Sequence, residues 1–385
     1  MGSIDTFRIG VVGGGFAGLI FALRLAEHGF NVDLYEEHDR VGYPPHCTGL
    51  VSERVVRILG QIAVDNIIGW YRGLSMGLGD RWVYIEPIGG IYRLDRVRLE
   101  HDMLDHFESL GGRAHMGVRV KRVEPSGLLY AGNRESRYDL IILSDGYHGV
   151  LHKSLDIGYE GSIVYGLNLI YSNAMADDII KVDFDPNVTS GLFAWILRIR
   201  EGALLGTGVR DPGLIKLYVR RLEEKYNASA IHRIYGGPIL LGPPARRLYI
   251  GKVVVVGDAA GLNKPLTGGG LYPNALAAEL ASKMIADGMD PLKSIINSVT
   301  KVALKLKRQY RIAKIILKDL DVLSLLIDAS IKSGLPTLLK GKIDYDEHEL
   351  IFRYALSYPI SALKLLYHLL KRPMISLRII AGLLL

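Results

Sequence analysis

The sequence predicts an α/β protein: a discontinuous Rossmann-like nucleotide-binding domain, an inserted and mostly antiparallel β-sheet domain, and a helical C-terminal region. Three observations carry this. Residues 7–37, "FRIGVVGGGFAGLIFALRLAEHGFNVDLYEE", read as strand, glycine turn, amphipathic helix and a second strand ending on an acid. Two further apolar strands, in "YDLIILSDG" and "VVVVGDAAG", end on Asp145-Gly146 and Gly257-Asp258, far down the chain. Between about Leu151 and Leu241 apolar and polar residues alternate in β fashion, whereas from about Pro291 the spacing is helical.

Taken in order, the first element is the most specific. Gly13, Gly15 and Gly18 form GxGxxG, and Glu36 lies 18 residues past the last glycine. Gly13 permits the tight turn, Gly15 admits a pyrophosphate against the backbone, and Gly18 lets the helix pack on its strand. The helix N-terminus, with Phe16 and Ala17, then faces the phosphates, and Glu36 (with Glu37 beside it) accepts from a ribose hydroxyl. Residues 73–92 read as strands, Arg96 to Leu110 as a helix, and "GGRAHMGVRVKRVE" as another strand. "GTGVRD", Gly206 to Asp211, lacks a third glycine and a following helix, which argues against a second dinucleotide site. The expected division is residues 1–72, 93–150 and 245–290 for the nucleotide domain, 73–92 and 151–244 for the inserted sheet, and 291–385 for the helical region.

Composition sets bounds. At 385 residues, 49% hydrophobic and 23% charged, the chain can bury a sizeable core. A single cysteine, Cys47, excludes an intrachain disulfide, a cysteine-ligated iron–sulfur cluster and a Cys-rich zinc site, and fits a cytoplasmic setting without a metal. The longest uncharged stretch, Gly161 to Ala176, is sixteen residues, short of a membrane span. The net charge of +7 is uneven: eight Lys/Arg and no acid lie between Asp290 and Asp319, and five Lys/Arg and no acid follow Glu349. Basic amphipathic helices of this kind fit either an anionic membrane surface or a packed domain with a solvated basic face; no nucleic-acid recognition module is visible.

With GxGxxG, the Asp145-Gly146 step and the Gly257-Asp258 loop in that order, the chain resembles flavoproteins of the glutathione-reductase-like, group A hydroxylase superfamily. Within it, "VGYPPHCTGL", "GLFAWIL", "GGPILLGPPARRLY" and "GDAAGLNKPLTGGGLYPNAL" are similar to the geranylgeranyl reductase family, especially archaeal enzymes that saturate isoprenoid chains of membrane lipids. The likeness covers about residues 7–290, and the region beyond Lys293 aligns with no motif. It departs at Trp195-Ile196-Leu197, where relatives carry Phe-Pro, and at Ser144, where Ala is usual.

The resemblance implies FAD as cofactor, with Asp258 on the ribityl chain, Gly268-Gly269-Gly270 near the flavin ring, and Arg96 as a further FAD contact. It implies a prenyl lipid substrate and a transient electron donor, whether NAD(P)H, ferredoxin or another reductant. Cys47 becomes the leading proton donor to the alkene, the alternative being a small buried hydrophobe. His46, Phe193, Trp195 and Tyr272 are candidate substrate contacts, or else surface and packing residues. The rival activities are an FAD-dependent aromatic hydroxylase, which shares all three motifs, and a non-catalytic prenyl escort.

Overall fold

A computed structural model describes residues 7–174, 176–347 and 357–377. The strand Arg8–Val12 lies at the centre of a six-stranded sheet, parallel to Asn31–Tyr35 on one side and Leu140–Leu143 on the other. Arg113–His115 and Val253–Val255 extend it in parallel, and Tyr249–Ile250 closes one edge antiparallel. The helix Phe16–Glu27 connects the first two strands. Parallel strands end on the same side of a sheet, so the glycine turn, Glu36, the Asp145-Gly146 step and the Gly257-Asp258 loop all emerge there. Residues from three distant stretches of sequence thereby meet.

The inserted sheet has seven strands, in the order Ile231–Leu240, Ile163–Tyr171, Gly202–Val209, Ala194–Ile199, Ile179–Asp183, Gly73–Leu78, Arg81–Ile85. All neighbours are antiparallel except Ile179–Asp183 with Gly73–Leu78. The β alternation from 151 to 241 is interrupted by two helices, Leu151–Ser154 and Ile215–Tyr226. The second is amphipathic and buries only Leu222 against the sheet. Ile91–Leu94 also leaves the large sheet, pairing instead with Leu50–Ser52 and Ile67–Tyr71. The segment "GTGVRD" continues the strand Gly202–Val209 and forms no phosphate turn.

The helical region joins the two sheets. Asp290 caps Pro291–Lys318 by accepting from the Lys293 amide at 3.0 Å, with proline at the first turn where its missing N–H is harmless. That helix buries Ile295, Val299, Val302 and Leu306 in the core of the nucleotide domain. The next helix, Leu320–Ser333, buries Leu323 and Ile327 in the core of the seven-stranded sheet beside Phe193 and Trp195. Residues 291–333 are therefore packed structure with a solvated basic face. Among the described residues, no helix is long and apolar enough to cross a membrane.

Trp195 fits because its cross-strand partner is Gly206: a Cβ built there would stand 2.0 Å from the indole. Gly206→Ala is expected to overpack this face and cost about 1–3 kcal/mol, read as a lowered denaturant midpoint at unchanged slope.

Candidate active site

The glycine turn is held from beneath. Gly13 has φ +99°, and a side chain there would press on the Ser144 carbonyl at 2.3 Å. Ser144 explains its departure from alanine: its hydroxyl donates to the carbonyls of Val12 and Gly13, at 2.8 and 2.9 Å, tying two strand ends together. Gly18 packs so closely that a Cβ would meet the Gly13 carbonyl at 1.9 Å. At Gly15 a Cβ would meet nothing within 4 Å, so that edge of the turn is open. Glu36 is buried, accepting from the Gly14 amide at 2.6 Å and the His38 amide at 2.9 Å.

The open edge faces a cavity of about 640 Å³, within the range of small-molecule sites. Of the sequence candidates, Gly15, Phe16, Ala17, Gly18, Arg96, Gly146, Gly257, Asp258, Gly268, Gly269 and Gly270 line it. So do Cys47, His46, Phe193, Trp195 and Tyr272. Glu37 stands apart, exposed and paired with Arg119. The Asp145 carboxylate is turned away as well, accepting from the Leu151 amide at 3.0 Å and pairing with buried His152 at 2.8 Å, so the step presents Gly146 alone.

The polar end of the cavity fits a dinucleotide. Arg96 is half-buried, ion-paired with Glu100 and placed over the Phe16 ring at 5.2 Å, yet its buried Nε has no partner among the described residues. Burial would lower its pKa, but Glu100 and the neighbouring Cys47 outweigh that and raise it. Thr267 Oγ1, in the loop before the triple glycine, is likewise buried without a partner. Orphaned buried groups are costly unless a ligand completes them. Asp258 uses one oxygen for Asn263 at 3.1 Å and keeps acceptor capacity for a hydroxyl. Asn274 fixes the loop by accepting from the Gly257 amide at 2.9 Å and donating to the Gly270 carbonyl at 2.8 Å.

The other end is apolar. Phe193, Trp195, Val182 and Met76 form its sheet wall, and Ile316, Ile327 and Leu339 its helical wall. The "VGYPPHCTGL" loop lies where the two ends join. It is anchored by a relay: Trp195 Nε1 donates to Asn168 Oδ1 at 3.0 Å, and Asn168 Nδ2 donates to the His46 carbonyl at 3.3 Å. Cys47 is half-buried, with Sγ accepting from the Gly49 amide at 3.4 Å.

Sequence reading missed a group of acids from the C-terminal region. Asp346 and Lys264 form an ion pair at 2.5 Å, both at most 3% exposed, and Asp346 also accepts from the Ser52 amide at 2.8 Å. Glu347 takes Lys305 at 2.8 Å, Arg54 at 2.6 Å and the Tyr272 hydroxyl. Burial would lower the Lys264 pKa, but Asp346 outweighs that and raises it, so the Lys264 ammonium stays charged. Burial would raise Glu347, but Lys305 and Tyr272 hold it below its usual range. Lys264 lay inside a recognised motif and was the one visible signal; its partner is 82 residues away.

Comparison with known proteins agrees with this geometry. Residues 11–57 match the model of an NAD(P)-binding Rossmann-like domain. A solved structure described as geranylgeranyl bacteriochlorophyll reductase-like, from Thermoplasma acidophilum, superposes with a TM-score of 0.74 at 18% identity, covering 94% of this chain and 99% of that one. That likeness is one of fold across nearly the whole of both chains. At the sequence level the chain is 26% identical to digeranylgeranylglycerophospholipid reductase 1 of Methanopyrus kandleri, over 74% of this chain and 81% of the relative. It is 25% identical to geranylgeranyl diphosphate reductase of Synechocystis, over 72% and 75%. The chain is thus similar in sequence, at about a quarter of positions, to proteins named as geranylgeranyl reductases.

Two predictions follow from the site. Gly15→Val should fold with near-parental stability but purify without the flavin absorption near about 450 nm, because its side chain fills ligand space. Gly18→Val should instead lose the fold, as circular dichroism would show. For Glu347→Gln, the depressed carboxyl pKa means that the ionised acid contributes stability above about pH 4.5, its unperturbed value, and that this is lost as pH falls through the folded-state value. The stability gap between parent and variant should therefore be full at neutral pH and close below about pH 4.5; denaturant titrations across that window check it.

Proposed function

We propose that this protein is an FAD-dependent reductase that saturates isoprenoid C=C bonds of a geranylgeranyl-type prenyl lipid at an anionic membrane surface. The observation that carries this is one cavity that is polar and glycine-lined at one end and walled by large apolar side chains at the other. In this reading residues 1–72, 93–150 and 245–290 serve the cofactor, 73–92 and 151–244 supply the sheet wall, and 291–385 the helical wall. The names of the Methanopyrus and Synechocystis relatives support the substrate class.

FAD, when bound and reduced by an electron donor of the NAD(P)H or ferredoxin kind, would supply the hydride for one carbon of the alkene. The chain's own residues do the rest. Gly15, Gly18, Arg96 and Asp258 hold the cofactor, with Gly146 and the triple glycine letting it lie close to the backbone. Phe193 and Trp195 fix the prenyl chain and exclude water, while His46 and Tyr272 border the site. An unactivated alkene accepts hydride poorly, so an acid aligned on the second carbon matters. Cys47, whose Sγ accepts from the Gly49 amide and lies beside Arg96, is the residue to which we give that role.

Cys47→Ala should keep bound FAD and its rate of reduction by dithionite, while saturated product falls by about 10²–10⁴-fold. Cys47→Ser should rescue little, since a hydroxyl is a far weaker acid than a thiol. Product analysis by mass spectrometry reads the difference. If product formation per folded molecule stays near parental, Cys47 is a packing residue.

A further inference from the structure

The helix Pro359–Leu370 and the helical residues 373–377 after it carry apolar side chains that the fold leaves uncovered. Ile360, Leu363, Tyr367 and Leu370 are 57–72% exposed and recur every three or four residues, so they stand on one face of the helix; Met374 and Leu377, 69% and 58% exposed, follow in the helical segment after it. Exposed apolar stripes of this size mark interaction surfaces. The opposite face is engaged. Ser361 is buried, and Leu365 packs with Leu335, Leu339 and Ile343, all four of which line the apolar end of the cavity. One helix is therefore both the end wall of the cavity and the bearer of the stripe.

Its charge points to the occupant. From Tyr358 to Leu377 there is no acid, while Lys364, Lys371 and Arg372 are present. Lys364 and Lys371 fall along one edge of the stripe at helical spacing, where long basic side chains reach toward lipid headgroups while the apolar face sinks below them. A face for a second copy of this chain would meet the same cations on its partner and repel it. The tail continues beyond Leu377 into residues outside those described.

We propose that this helix docks on an anionic bilayer and is the entrance through which a lipid's apolar chain passes from membrane to cavity without crossing water. This rests on the prenyl-reductase reading for its cargo and on the exposed stripe for its site. Binding of the helix brings the wall formed by Leu335, Leu339, Ile343 and Leu365 to the level of the acyl chains. The displacement of Leu365 and its neighbours then opens the channel toward the lipid.

The test uses the full-length holoenzyme and the triple variant Ile360→Ser/Leu363→Ser/Leu370→Ser, none of whose positions lines the cavity. Parent protein should co-sediment with phosphatidylglycerol vesicles about 10-fold or more tightly than with phosphatidylcholine vesicles. The triple variant should lose phosphatidylglycerol binding by a similar factor while keeping bound FAD and the parental denaturant midpoint. Lys364→Glu/Lys371→Glu should lose the preference for phosphatidylglycerol alone. Reduction of a geranylgeranyl lipid embedded in vesicles should fall at least about 10-fold in the triple variant, whereas the same lipid in detergent micelles should be reduced at the parental rate. Unchanged vesicle binding in the triple variant overturns the proposal. So does light scattering that shows a parental dimer and a monomeric variant, which would make the stripe a contact between copies. Vesicle binding that behaves as expected, in a parent that reduces no prenyl lipid even in detergent, would sink the functional reading and leave the docking face standing.

Discussion

A buried ion pair, Lys264 with Asp346, fastens the C-terminal region to the loop that the fold presents to the cofactor. Each charge has been taken out of water, and each is tolerated only because the other is there. Glu347, the next residue, gathers Lys305, Arg54 and Tyr272 from three separate elements. These two acids settle where the helical wall stands relative to the glycine loop, and so they settle the shape of the cavity. Removing either side would leave a buried charge without its partner, which costs about 3–5 kcal/mol in comparable pairs. The apolar channel depends on this polar knot because apolar walls alone slide: dispersion and hydrophobic burial are not directional.

The cavity answers two opposed demands. A dinucleotide needs backbone amides, a guanidinium and hydroxyl acceptors, and these come from strand ends and loops of the six-stranded sheet. A prenyl chain needs a dry wall of large side chains, and this comes from the seven-stranded sheet and from helices 291–339. The Cys47 loop stands at the seam, tied to the sheet wall through Asn168 and Trp195 and to the cofactor side through Arg96. Chemistry that joins a hydride and a proton to one double bond needs such a seam, because the alkene must meet a cofactor and an acid while water is kept away.

Much of this was legible in the sequence, and the reasons are local. GxGxxG with its strands and Glu36 is a continuous stretch whose spacing is imposed by turn and helix geometry. The Asp145 and Gly257 strands each end on the small residues that a strand-to-loop reversal at a cofactor requires. What could not be read is long-range. Nothing near Lys264 announces Asp346, and nothing near Trp195 announces Gly206 or Asn168, because these partners meet only once the strands pair. The helix Ile215–Tyr226 falls inside the span 151–241 that reads as β, although its own pattern is strongly amphipathic at helical spacing; the strands on either side of it carry the reading of the whole span. Asp145-Gly146 stands at the strand end that the motif requires, yet the Asp145 side chain turns to His152 and leaves Gly146 to face the cavity.

The central claim is that cofactor and prenyl chain share one cavity and react across the seam. Anaerobic stopped-flow mixing of pre-reduced holoenzyme with a geranylgeranyl lipid tests it most directly, followed by absorbance near about 450 nm and by mass analysis of the lipid. The account predicts that the lipid reoxidises the flavin and that one double bond is saturated for each flavin reoxidised. Flavin that stays reduced with the lipid present and is reoxidised only on admission of oxygen, with no saturated lipid formed, would contradict it.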